Sequence, residues 1–153
     1  MSERSVTHGT FAIERKYPAA PERVFAAFSD PAKKRRWFAE GDEFEIEHYA
    51  LDFQVGGREE ARFRGKNGFT FTNHTVFQDI LPSRHIVFAY TMSMGDKRIS
   101  SSQATVEFLG KDQGTLLVFT EQAAFFEGAD GPKMRQDGWT LLLEALGKEL
   151  SRT

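Results

Sequence analysis

The segment over residues 98–108 carries polar side chains on a face that should enter a core. Its second half alternates apolar and polar residues, as a half-buried strand does, and Ala104 and Val106 share the apolar face. Because alternate residues of a strand share one face, that face continues backwards through Ser102, Ser100 and Arg98. Facing inward, these groups can hold the polar end of a ligand or ordered water. The alternative is an exposed strand end, on which they would be solvated.

A carboxyl group on the following strand adds to this polar face. The turn over 111–114 predicts a hairpin in which Glu121 lies near Ala104. We expect Arg98 and Glu121 to pair with each other or with a ligand, because a lone buried charge costs roughly 3–5 kcal/mol. In an enzyme, Glu121 would instead be the acid/base group, with a pKa raised by an apolar wall.

Other catalytic chemistry finds little support in the sequence. The chain has no cysteine, which excludes disulfides, thiolate nucleophiles and zinc–cysteine sites. Its four histidines lack metal-ligand spacing, and His74 should point away from the interior because it follows Asn73 in a strand. The sequence contains no nucleophile-elbow, phosphate-loop or dinucleotide motif. We therefore expect no metal, no cofactor and, outside the enzyme alternative, no catalytic residue.

Composition limits the class of partner. The chain has 153 residues and a net charge of −2, so no overall basic field attracts nucleic acid. The basic run 33–37 is expected to be a solvated helix face, balanced by acidic residues within 40–47. No uncharged apolar run is long enough to cross a bilayer. The sequence thus predicts one cytoplasmic domain over 1–153, with no nucleic-acid binding and no membrane insertion.

Periodicity and turn residues predict the elements that position these groups. A strand over 11–17 precedes two short helices, about six strands with short turns follow, and the longest helix comes last. Such strands form an antiparallel sheet, and the apolar stripe of the last helix must cover one of its faces. We expect 39–48 to be an acidic surface excursion, and 121–131 to be a lid or a connecting loop. Asp130 is expected to cap the last helix.

Several motifs occur in an order that resembles one family. They are "KKRRWF" after the short helices, "FQVGGREEARFRG", "GTLLVFTEQ" and the terminal "GWTLLLEALGKEL". Over 11–150 they resemble the START-like (SRPBCC) superfamily, in the branch named after the activator of the heat-shock protein 90 ATPase. The resemblance implies an α+β helix-grip fold: a curved antiparallel sheet of about six to seven strands wraps a long C-terminal helix and leaves an internal cavity.

On that fold, the inward positions form a ligand site with an aromatic wall and a polar end. Aromatic rings would supply affinity, while Arg98 and its neighbours would fix a carboxylate or carbonyl. We predict that the ligand-binding residues are Trp37, Phe53, Phe63, Phe71, Asn73, Phe88, Tyr90, Arg98, Ser100, Ser102, Phe119, Glu121, Met134 and Trp139.

The resemblance implies three classes of function, since members of the superfamily bind small apolar ligands, act as cyclases or related enzymes, or assist a chaperone. Our leading prediction is the binding of a small hydrophobic or amphipathic molecule, such as a lipid. One alternative is a polyketide cyclase/dehydratase-like enzyme that uses Glu121. The other is a co-chaperone or stress-response protein that stimulates a heat-shock chaperone ATPase. A homodimer contact through Phe125 or Phe126 is the alternative to a lid over 121–131.

Overall fold

A curved antiparallel sheet of seven strands dominates the computed structural model, which describes residues 4–41 and 44–152. The strands are β1 (Val6–Tyr17), β2 (Phe44–Leu51), β3 (Arg58–Gly65), β4 (Thr70–Leu81), β5 (His85–Met94), β6 (Lys97–Lys111) and β7 (Gly114–Phe126). Their spatial order is β1-β7-β6-β5-β4-β3-β2, so β2 to β7 form a meander and β1 pairs with β7. The predicted α+β class and strand number are confirmed.

Two short helices and a π-helical turn connect β1 to β2. Helix α1 (Pro21–Ser29) begins with a proline, whose fixed φ suits the first helical turn. Helix α2 (Pro31–Lys34) is capped by Asp30, whose carboxylate accepts hydrogen bonds from two main-chain N–H groups of its first turn. The π turn (Arg35–Ala39) continues α2 without a break. Single π turns of this kind frequently occur at functional sites.

Helix α3 (Pro132–Leu150) packs against β1, α1 and the π turn. Its buried stripe recurs at helical spacing and covers part of one face of the sheet, which we call the inner face. The apolar residues of that stripe are Trp139, Leu143, Leu146 and Leu150. At the edge of the sheet, Tyr17 Oη donates a hydrogen bond to the Leu143 carbonyl at 2.7 Å. None of the described helices is long and apolar enough to cross a membrane.

The last hairpin has the register that the sequence predicted. Ala104 of β6 is opposite Glu121 of β7, and Val106 is opposite Phe119. Ser100 and Ser102 are both buried, so the polar half of β6 does face the interior. For these two serines the exposed-end alternative is wrong.

Arg98 does not share that face, contrary to the prediction. The pairing of β5 with β6 shifts by one residue, because Ser100 is opposite Met92 whereas Arg98 is opposite the next residue, Ser93. This β-bulge places Ile99 in the core and turns Arg98 outward, where it is exposed. A strict two-residue alternation cannot represent the extra residue, so the expected pairing of Arg98 with Glu121 is wrong.

The acidic segment is strand rather than a surface excursion. Phe44–Leu51 forms the edge strand β2, and Glu47 pairs across the sheet with Arg62 at 3.1 Å and Arg64 at 2.9 Å. Glu47 therefore balances the arginines of β3, whereas Glu40 pairs with Arg35 of the basic run at 3.1 Å, as expected. Residues 42 and 43, which belong to the same acidic run, lie outside the described residues.

The segment after Glu121 also differs from the prediction. Phe125 and Phe126 end strand β7, and Phe125 is buried, so the two rings do not form a lid. Asp130 does not cap α3 by its side chain; Gly131 takes the N-cap position. The Asp130 carboxylate instead accepts hydrogen bonds from the Gly131 N–H group at 2.7 Å and from Arg135.

Candidate functional site

A group of polar side chains from the sheet, from α3 and from the loop before α3 meets in the interior, and we call it the polar network. Its members are Tyr90, Ser100, Ser102, Glu121, Asp130, Arg135 and the indole N–H of Trp139. Tyr90 Oη donates to one carboxylate oxygen of Glu121 at 2.6 Å, and Arg135 Nη1 lies 3.3 Å from the other. Trp139 Nε1 donates to Tyr90 Oη at 3.1 Å. Both oxygens of the Glu121 carboxylate are therefore occupied.

Arg135 supplies the positive charge that the sequence prediction assigned to Arg98. Its Nη1 donates to Tyr90 Oη at 3.0 Å, and its Nη2 donates to Ser100 Oγ at 2.7 Å and to Asp130. Residue 135 lies four positions before Trp139, so it continues the buried stripe of α3 by one turn. That spacing could have identified it from the sequence, had the stripe been extended past its first apolar residue.

Burial raises the pKa of two acidic groups in the polar network, Glu121 and Tyr90. The side chain of Glu121 is fully buried, and the resulting desolvation raises its pKa above the ordinary value, although hydrogen bonds from Tyr90 and the charge of Arg135 act in the opposite direction. Desolvation also raises the pKa of the Tyr90 hydroxyl, which therefore remains a neutral donor. The network ties the middle strands of the sheet to the beginning of α3.

A second buried ion pair joins α2 to the sheet. Lys34 Nζ contacts the two carboxylate oxygens of Glu59 at 3.0 and 2.9 Å, and Tyr49 Oη donates to the same carboxylate at 2.6 Å. The ammonium group also lies 4.3 Å from the ring centre of Phe38, a cation–π distance. Lys34 is only 5% exposed, so the expectation that the run 33–37 is entirely a solvated face is wrong.

The π turn is tied to α3 by a third ion pair. Arg36 Nε and Nη2 donate to the two carboxylate oxygens of Glu149 at 2.9 and 2.6 Å, a bidentate arrangement. These hydrogen bonds lower the pKa of Glu149, and nearby positive charges act in the same direction. The π turn is thus held between the sheet on one side and the last helix on the other.

This ion pair predicts a pH dependence of stability. Because the pKa of Glu149 is lowered from 4.5 in the folded state, its contribution is present above that pH and is lost as the pH falls through the folded pKa. In urea unfolding, wild type should exceed Glu149→Gln in stability at neutral pH, and the difference should shrink in acid. Glu144→Gln, an exposed change on the same helix, is the control. A difference that stays constant with pH would contradict the assignment.

Beside the polar network, the inner face is only partly covered. We call this surface the open patch, and its residues are Phe44, Phe63, Phe71, Asn73 and Met92. Along one cross-strand row, the half-buried Asn73 and Met92 lie between the buried Ala61 of β3 and Ser100 of β6. The Phe44 ring packs 6.0 Å from the rings of Phe63 and Phe71, yet 45% of Phe44 is exposed.

One atom of the open patch lacks a hydrogen-bond partner. Asn73 Oδ1 is buried, and within residues 4–41 and 44–152 no donor reaches it. Buried amide oxygens are normally hydrogen-bonded, and one left without a partner costs about 1–3 kcal/mol. By contrast, the side chains of the neighbouring polar network form hydrogen bonds with one another. A ligand donor would complete the hydrogen bonding of Asn73 once this half-buried side chain turns its oxygen toward the patch.

The structure distributes the predicted ligand-binding residues over four places. Four of them belong to the polar network: Tyr90, Ser100, Ser102 and Glu121. Three belong to the open patch: Phe63, Phe71 and Asn73. Five lie in or against the aromatic core: Trp37, Phe53, Phe88, Phe119 and Trp139. Arg98 and Met134 are exposed.

The core aromatics are held mainly by one another. Trp139 packs 4.2 Å from Phe119 and 6.2 Å from Phe88, measured between ring centres. Trp37 donates its indole N–H to the Ala27 carbonyl at 2.8 Å and packs edge-on against Phe28.

Some residues of these sites were not among the predicted ligand-binding residues. They include Arg135, Asp130, Lys34, Glu59, Tyr49, Phe44 and Met92.

Known proteins similar to this chain share its whole fold. The sequence matches the family model described as Activator of Hsp90 ATPase homolog 1-like protein over residues 18–151. Mll3558 from Rhizobium loti is 46% identical, with a TM-score of 0.88 over 95% of this chain and 99% of that one. An uncharacterized protein from Rhizobium leguminosarum is 38% identical, with a TM-score of 0.94 over 99% and 100%.

A more distant structure agrees in fold alone. The AHSA1-like protein from Aeromonas hydrophila is 22% identical, with a TM-score of 0.68 over 93% of this chain and 92% of that one. No curated protein matches the sequence.

Proposed function

The chain belongs to the Activator of Hsp90 ATPase homolog 1-like family, as its motifs predicted, and on that premise we propose that it binds a small, largely apolar molecule on the open patch. The START-like (SRPBCC) fold holds a curved sheet against one helix, and here the helix leaves the β2–β4 side of the inner face partly exposed. The patch is formed by the residues that remain half-buried or exposed on that face.

The observation that carries this proposal is the unpartnered Asn73 oxygen among half-buried aromatic rings. An apolar surface with a few convergent polar groups is the usual form of a small-molecule site. A ligand ring on Phe63 and Phe71 would remove apolar surface from water, at about 25 cal/mol per Å². A ligand N–H or O–H group would at the same time complete the hydrogen bonding of Asn73.

The charges near the patch favour a neutral ligand. Glu121 is paired with Arg135, and Glu59 is paired with Lys34, both at low exposure. A ligand charge would have to compete with these ion pairs or remain without a partner among apolar rings. The polar network therefore shapes one end of the site, while affinity comes from the rings and from Asn73.

Binding can be measured with N-phenyl-1-naphthylamine, a neutral aromatic fluorophore that carries one N–H donor. We expect its fluorescence to rise on binding, and Phe71→Ala to weaken the affinity by about tenfold because buried ring area is lost. Asn73→Leu should weaken it by a similar factor through the lost hydrogen bond, at about 1–2 kcal/mol. Each variant is compared with wild type by fluorescence titration.

The matched control is Leu109→Ala, which truncates an exposed apolar side chain on the outer face of β6. Affinity should not change in this variant. Saturable binding that Phe71→Ala and Asn73→Leu leave unaltered would overturn the assignment to the open patch. A lack of uptake of this and other apolar probes would overturn ligand binding itself.

The enzyme and chaperone alternatives have weaker support. The raised pKa of Glu121 favours an acid/base role, but its carboxylate is fully buried and both oxygens are hydrogen-bonded inside the protein. The family description names an activator of a chaperone ATPase, and this name alone does not assign that activity to the chain. The acidic segment, one surface that a chaperone partner would use, is engaged with β3 through Glu47.

A further inference from the structure

A concavity of about 450 Å³ lies at the C-terminal end of α3, at the opposite end of the helix from the polar network. Helix α3 has 19 residues and is therefore about 28 Å long, so the two places are well separated. The residues that line the concavity are Arg23, Ala27, Lys33, Arg36, Glu149, Leu150 and Arg152. A volume of this size is typical of small-molecule sites, which occupy roughly 300–1,000 Å³.

The lining has an excess of positive charge, because it contains four cationic side chains and one carboxylate. Arg36 uses one edge of its guanidinium, Nε and Nη2, on that carboxylate, Glu149, and Arg152 Nε is 3.8 Å from it. Among the salt bridges of residues 4–41 and 44–152, Arg23 and Lys33 take no part. Asp30, a further carboxylate whose charge acts on Arg36, is engaged in capping α2. The excess is three positive charges, and a dianion would neutralise two of them.

Two of the cations are held in place before any ligand arrives. Arg23 Nη2 donates to the carbonyl oxygens of Leu150 and Arg152, the latter at 3.0 Å, so its guanidinium plane is fixed against the end of α3. The bidentate pair with Glu149 fixes Arg36 in the same way. A fixed guanidinium loses less side-chain entropy when it binds an anion, and Nη1 of Arg23 takes no part in these hydrogen bonds.

We propose that this concavity binds the phosphate group of a small phosphomonoester. Arg23, through Nη1, and Lys33 would contact the phosphate oxygens, and Arg152 would add charge at the rim. Ala27 and Leu150 provide apolar surface for the organic part of the ester. Charge-assisted hydrogen bonds of this kind are about twice as strong as neutral ones, which favours a phosphate over an uncharged polar group.

The test is a titration of the ¹⁵N-labelled protein with phenyl phosphate, followed by amide chemical shifts. We expect saturable shifts at Ala27 and Leu150, and an affinity about tenfold weaker for the double variant Lys33→Met/Arg152→Met. Neither side chain is engaged in a strong ion pair, so the variant should fold; its melting temperature checks this. Lys97→Met, which removes one exposed lysine from β6, is the control for a change of surface charge and should bind like wild type.

Three outcomes would overturn the proposal. The first is no shift at Ala27 and Leu150 in the millimolar range. The second is equal weakening by Lys97→Met, which would indicate an unspecific charge effect. The third is binding to vesicles that contain phosphatidic acid without binding of phenyl phosphate or inorganic phosphate, which would make this surface a lipid-headgroup contact instead.

Discussion

Replacing Arg135 by methionine is expected to destabilise the folded protein by about 3–5 kcal/mol, the usual cost of breaking a buried ion pair from one side. The substitution keeps most of the side-chain volume but removes the only cation of the polar network. Glu121 would then be a buried carboxylate whose remaining donors, Tyr90 and Ser102, are both neutral. Urea unfolding followed by circular dichroism gives the free energy of unfolding of the variant and of wild type.

The matched control is Arg98→Met, which removes an arginine that the sequence prediction placed beside Glu121 and the structure places on the surface. This change should cost no more than about 0.5 kcal/mol. Addition of Glu121→Gln to Arg135→Met should recover part of the lost stability, because the uncompensated charge is removed. Equal effects of Arg135→Met and Arg98→Met would contradict the observed network.

Lys34→Met should be the second most destabilising change, at about 3 kcal/mol. It removes the ammonium group that neutralises Glu59, a carboxylate that is only 3% exposed and would retain the single donor Tyr49. The cation–π contact with Phe38 is lost as well. The free energy of unfolding, again from urea titration, measures the effect.

Lys33→Met provides the comparison, since Lys33 precedes Lys34 but is only partly buried and belongs to none of the ion pairs of the described residues. Its substitution should change stability by less than about 0.5 kcal/mol. The double variant Lys34→Met/Glu59→Leu should be nearer to wild type than Lys34→Met, because an apolar pair can replace a buried ion pair. If Lys34→Met had the same free energy of unfolding as wild type, the ion pair between Lys34 and Glu59 would not be formed.

The sequence predicted local features of the fold well. Alternation placed Ser100, Ser102 and Glu121 on the inner face, and the turn before Gly114 set the register that brings Glu121 opposite Ala104. These features depend on neighbouring residues within a hairpin, where pattern and turn length fix the geometry. The family motifs then supplied the arrangement of sheet and helix that no local pattern contains.

The wrong predictions concern side chains whose position depends on one residue of irregular backbone or on a partner that is distant in the sequence. A β-bulge at Ile99 turned Arg98 outward, and no alternation rule registers such an insertion. Lys34 looked like part of a charged surface run, because its partner Glu59 is 25 residues away. Arg135 escaped notice since a charged residue on a buried helix stripe is uncommon unless it is paired.

The central claim, that the open patch binds an apolar ligand, is tested most directly by nuclear Overhauser effects between protein and ligand. With ¹³C-methyl methionine labelling, Met92 reports on the inner face and Met134 on the exposed side of α3. We predict effects between the aromatic protons of bound N-phenyl-1-naphthylamine and the Met92 methyl group, lost in Phe71→Ala. Bound probe that contacts Met134 or the outer face, but not Met92, would contradict the account.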